Sequence, residues 1–94
     1  MAYEKQLSAL AHPLRQSILT SLSASPKSVR ELTDDFDATQ PAVSQHLKVL
    51  RDAGLVEVKA QGAKNIYFAR SEGLQELKVF LEQHWRSLLN AMDD

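Results

Sequence analysis

No cysteine occurs among the 94 residues. Disulfides, thiolate metal ligands, thiol redox switching and cysteine nucleophiles are excluded together. Glycine and proline are scarce, at three each, and no glycine-rich phosphate loop or Gly-x-Ser-x-Gly elbow is present. No apolar run approaches the roughly 18 residues that read as a membrane span. Met1 to Leu10 places Glu4 and Lys5 among scattered apolar residues, without the apolar core of a signal peptide, so a cytoplasmic location is expected. Charge of one sign is missing too. The formal net charge is −1, which taken globally argues against a polyanionic partner.

The composition that remains is ordinary for a globular domain, with 44% hydrophobic and 24% charged residues. Residues 1–94 fit a single domain. A chain this short buries only about 60–65% of its unfolded surface, so apolar surface left over for a partner subunit is expected. The balanced charge also hides an asymmetry. Residues 38–70 hold Lys48, Arg51, Lys59, Lys64 and Arg70 against Asp52 and Glu57, whereas both flanking segments are net acidic. A local basic surface decides phosphate contact more than the total does.

Hydrophobic periodicity divides the chain. Tyr3, Leu7, Leu10 and Ala11 recur at helical spacing until Pro13 interrupts, and Leu14, Ile18, Leu19 and Leu22 resume the pattern. It ends in the turn cluster Ser23–Pro26. Ser28 and Glu31 form a capping box that opens a third helix to about Asp35. Thr39 is an N-cap with Pro41 inside the first turn, and this fourth helix, 39–53, closes at Gly54. The period then changes to two, which predicts a hairpin over 56–69 turning at Gln61-Gly62-Ala63. A last helix, capped by Ser71, carries Leu74, Leu77, Leu81, Trp85, Leu88 and Met92. The order α-α-α-α-β-β-α is mostly helical with a β-hairpin wing, the layout of a winged helix-turn-helix.

On a helical wheel Val43, Leu47 and Leu50 of the fourth helix converge on the core side. Gln40, Ser44, Gln45, Lys48 and Arg51 spread over the opposite arc. Amides that pair with adenine, a small hydroxyl, and cations for guanine or phosphate are what major-groove reading needs. A plain solvated helix face would use the same residue types, and an interaction module without DNA binding is the alternative function. Such a module would make this arc apolar or acidic, and the basic hairpin with Lys59 and Lys64 tilts the reading toward DNA.

Ala11-His12-Pro13-Leu14-Arg15, Ile18-Leu19 and the long block from Gln40 to Val56 resemble the ArsR family of winged-helix repressors. The resemblance implies a homodimer whose first and last helices pair, with the fourth helix in the major groove and the hairpin as wing. It implies DNA contacts from Gln40, Ser44, Gln45, Lys48, Arg51 and Lys64, a palindromic double-stranded operator, and repression of the protein's own operon. Two departures accompany it. Gln61 and Ala63 flank the wing glycine where the family often has Arg and Lys. The stretch Val29-Arg30-Glu31-Leu32-Thr33 lacks the paired cysteines of the metal-sensing branch.

Three histidines complete the inventory. His12, before a proline, reads as a helix-end partner, and His46 as half-buried packing. His84, with Glu76 and Glu82 nearby, is the sharpest metal candidate. Glu82-Gln83-His84 is not the family's last-helix metal pattern, and zinc needs three or four placed ligands. Neither metal nor cofactor is expected. Asp34, Asp35 and Asp37 read as a solvated helix end, and no histidine has evident carboxylate support, so no catalytic residue is expected and the chain is not read as an enzyme. The apolar stripe of the last helix runs about 27 Å, long for one small domain to cover. A dimer seam formed by Leu7, Leu77, Leu81, Trp85, Leu88 and Met92 is expected, with Trp85 as its anchor.

Overall fold

The computed structural model describes residues 3–92, without the side chains of Leu88, Ala91 and Met92. Its elements run α1 (Glu4–Ala9), α2 (Pro13–Ala24), β1 (Lys27–Ser28), α3 (Val29–Phe36), α4 (Gln40–Asp52), β2 (Val56–Gln61), β3 (Lys64–Ala69) and α5 (Ser71–Met92). The helical order and the hairpin follow the sequence reading. Three details differ. The first helix stops at Ala9, where the Arg15 guanidinium donates to the carbonyls of Ala9 and Ser8 at 2.7 and 3.4 Å, the second of which also accepts from the Ala11 N–H. Ser71 is the first helical residue of α5, and the carbonyl of Arg70 before it accepts from the Leu74 N–H. A third strand, β1, pairs antiparallel with β3, Lys27 opposite Tyr67 and Ser28 opposite Ile66. The sheet order is β1-β3-β2. A two-residue strand has no periodicity to read, because its partner is supplied by chain some 40 residues later.

Side chains close the helix ends. The Nδ1 of His12 accepts from the Leu14 N–H at 3.2 Å, with Pro13 in the first turn of α2. Ser28 Oγ accepts from the Glu31 N–H at 3.2 Å, and a Glu31 oxygen accepts from the Ser28 N–H at 3.0 Å. Thr39 Oγ1 takes the Ala42 N–H at 3.3 Å. At the other end of α4, Leu55 N–H returns to the Leu50 carbonyl and Gly54 N–H to that of Arg51, both 3.0 Å. Gly54 has φ +76°. This is a Schellman closure, and its hydrophobic contact is made by two fully buried leucines, Leu50 and Leu55. In the hairpin Gln61 pairs with Lys64, leaving Gly62 and Ala63 as the loop. Gly62 has φ +63° while Ala63 stays out of the left-handed region, the type II′ pattern that glycine at the first loop position permits.

The core gathers Ile18 and Leu22 of α2, Leu32 of α3, Val43, Leu47 and Leu50 of α4, and Leu55 and Val56 at the start of the wing. The apolar arc read on the wheel for α4 is fully buried. Helix α5 joins this core only through its first half, where Leu77 is buried and Leu74 packs against the cluster. Beyond Leu81 every described side chain of α5 is exposed. The molecule accordingly extends 52 Å in one direction against 25 and 22 Å in the others.

Candidate nucleic-acid interface

Capping by Thr39 starts α4 with Gln40 at its first position, and burial of Val43, Leu47 and Leu50 fixes its rotation about its axis. The side chains of Gln40, Ser44, Gln45, Lys48 and Arg51 consequently all face solvent. Lys64, beside the hairpin loop, is exposed as well. Gln40 and Lys64 come together across a groove between α3, the start of α4 and the wing, which Arg30, Glu31, Asp34 and Asn65 also line. Arg51 is not part of that groove. It lies about 16 Å further along the helix and opens onto a second one, beside Gly54, Glu57 and Arg70.

The electrostatics of the two grooves differ. Glu31 is held below the usual carboxylate range, first by the Ser28 N–H, then by the Ser28 hydroxyl, with the positive charges of Lys64 and Lys27 adding to it. It therefore stays anionic opposite the wing cation. Arg70 is paired with Glu57 at 3.3 Å, and the Lys59 ammonium sits 5.4 Å from the Phe68 ring centre. Arg30, Lys48, Arg51 and Lys64, by contrast, are in no ion pair among the described residues. Four unpaired cations thus bracket the amide and hydroxyl groups of α4. Arg30 and Asn65 were missed in the sequence. The usable signal for Arg30 was its place two residues after the capping serine, where a side chain stands at the mouth of a helix. For Asn65 there was none, since its exposure depends on hairpin register.

The residues read as a dimer seam are distributed unevenly. Leu7 is 37% and Trp85 57% exposed, and Leu81 is half-buried. Leu77 is 4% exposed within the single chain, which leaves it little surface to give a partner. The side chains of Leu88 and Met92 lie outside the described residues. Tyr3 stacks on Phe80 with ring centres 4.4 Å apart, and Phe80 on His84 at the same distance, tying α1 to α5. The His84 Nδ1–H donates to the Phe80 carbonyl at 2.9 Å. Among the described residues no three of His, Asp and Glu are grouped closely enough to hold a metal ion.

A two-helix reading unit whose second helix is exposed along a polar arc, followed by a wing, defines a winged helix-turn-helix DNA-binding regulator. Residues 12–58 match the bacterial regulatory protein arsR family, and the chain belongs to that family. It is 39% identical over 83 residues to the HTH-type transcriptional regulator Rv2034 of Mycobacterium tuberculosis, covering 88% of this chain and 78% of that one. With the repressor SmtB of the same species it shares 44% identity over 61 residues, 65% of this chain and 45% of SmtB, so it spans under half of that relative's length. The solved structure of an ArsR-like transcriptional regulator from Rhodococcus sp. RHA1 superposes with a TM-score of 0.82 at 28% identity, covering 97% of this chain and 89% of the other. The protein is a DNA-binding transcriptional regulator.

Proposed function

We propose that this protein is a homodimeric repressor that binds a palindromic operator, with α4 in the major groove and the β2–β3 hairpin along the flanking phosphates. The observation that carries the reading is the exposed arc of α4, in which Gln40, Ser44 and Gln45 lie among unpaired cations, with Pro41 of the first turn the apolar residue exposed beside them. Gln40, Ser44 and Gln45 contact base edges, while Lys48, Arg51 and Lys64 hold phosphates. Arg30 joins the phosphate set from the start of α3, the helix that crosses the backbone in such motifs. The exposed half of α5, with Trp85, Leu81 and the sequence positions Leu88 and Met92, pairs with its symmetry mate, and Leu7 of α1 completes the seam. The regulated site is the promoter of the protein's own operon, and the protein works in the cytoplasm.

Gel-shift titration of the full chain against the DNA upstream of its own gene, beside a random duplex of equal length, tests this reading. Specific affinity should exceed random affinity by about a thousandfold or more at physiological salt. Equal affinities would sink it.

A further inference from the structure

Next to the reading arc of α4, His46 is half-buried and turned toward the start of α2. Its Nδ1 lies 3.3 Å from Arg15 Nη1. A guanidinium only donates, so this nitrogen accepts and the ring is neutral with its proton on Nε2. The Nδ1 of His12 is an acceptor as well, taking the Leu14 N–H at 3.2 Å. The two imidazoles are 4.6 Å apart, tilted by 50°. The same Arg15 holds the last carbonyls of α1. One guanidinium thus ties the end of α1 to the middle of α4, and both histidines take part only in their unprotonated form.

We propose that His12, Arg15 and His46 form a proton-releasable joint between α1 and the DNA-reading helix. Protonation at either Nδ1 turns an acceptor into a donor. At His46 it removes the Arg15 contact, and at His12 it removes the cap of α2. At His46 it also adds a cation beside Arg15. The titratable and charged groups that act on His46 are His12 and Arg15, both from the start of α2. From α1 come the uncharged carbonyls that Arg15 holds, and no carboxylate of α4 offsets the positive charge. Burial first, then His12 and Arg15, hold the His46 imidazole below its ordinary value of 6.5. Acid therefore favours the state in which the ring is released. Well above pH 6.5 the His46 ring is neutral in both states, and the closed joint loses ground as pH falls through that value.

The proposal rests on α4 being the reading helix, so its test has one arm without DNA. Ring nitrogen shifts of the full-length protein should show the His46 Nδ1 unprotonated at neutral pH, with His46 titrating below about 6.5. A His46 that titrates above that value overturns the joint. In the DNA arm, the ratio of operator to random affinity should fall about fivefold between about pH 7.5 and 5.5. Phosphate attraction for a protonated histidine strengthens both affinities and cancels in the ratio. His12→Asn with His46→Gln keeps a cap and an acceptor but cannot titrate, and should hold the ratio constant. A flat ratio in the wild type, or an equal fall in the variant, overturns the joint. Absence of operator preference at neutral pH overturns the placement of α4 instead. If the variant fails to fold, hydrogen exchange of the wild type decides. Protection of the α1 amides should drop more on acidification than that of the α4 amides, and equal loss overturns the proposal.

Discussion

Asp37 takes φ +49° and ψ +45° at the end of α3, the left-handed conformation that glycine adopts without strain. Its carboxylate also stands at the negative end of a helix dipole. Two unfavourable effects meet at one residue, and no hydrophobic packing depends on it, since it is exposed. Asp37→Gly should therefore stabilise the fold by about 1 kcal/mol, read as a higher urea midpoint at unchanged slope. An unchanged midpoint would mean that the Asp side chain compensates locally. Gly73 behaves in the opposite way. A methyl added there would run into the backbone carbonyl of Gly54, which closes α4, whereas one added at Gly62 would meet open space. Backbone on both sides leaves little room to give. Gly73→Ala should cost about 1–3 kcal/mol, detected by the same titration. Gly54 was legible in the sequence as a helix stop. Gly73 was not, because its constraint comes from another element's backbone.

The helices and hairpin were readable because each carries its own signal at its ends and along its period: the Ser28–Glu31 box, Thr39 before Pro41, and the switch from Leu47-x-x-Leu50 to alternating Val56 and Val58. What escaped was set by tertiary contact. Strand β1 exists only because β3 returns to pair with it, and α1 ends early because Arg15 reaches its carbonyls. The same division holds within the site. The arc of α4 follows from helical geometry alone, but the grouping of Gln40 with Lys64 and the separation of Arg51 depend on where the wing lies. These placements lead to different mutational behaviour. Gln45→Ala should cost about 1–3 kcal/mol on the operator and little on random DNA. Lys64→Ala should weaken all sequences alike and lower the salt slope by about one unit per subunit. Equal losses on operator and random DNA for Gln45→Ala would show that another face of α4 enters the groove.

At the scale of the molecule, α5 is the feature the isolated chain leaves unexplained. Its first half is anchored by Leu77 and by the Tyr3–Phe80–His84 stack, while its second half projects with Trp85 and Leu89 exposed. A helical half without tertiary packing is marginal in water, since helices in proteins owe most of their stability to a buried apolar face. In the proposed homodimer, a second copy related by a two-fold axis would supply that packing and turn one reading helix into two. Leu7→Ala combined with Trp85→Ala should shift the protein toward monomer in sedimentation, with little loss of stability per chain because both side chains already meet solvent. The DNA must then respond in a particular way. Two helices held by one axis read successive major grooves on one side of the duplex, about 34 Å apart, so half-site centres should lie about 10 bp apart or a small multiple of the turn. Selection from a random duplex pool should return an imperfect palindrome with that spacing. The Leu7 and Trp85 variant should bind its half-sites independently, with the preference for spacing gone. A sharp spacing preference that survives loss of the dimer would mean that something other than the α1–α5 seam sets the distance between reading helices.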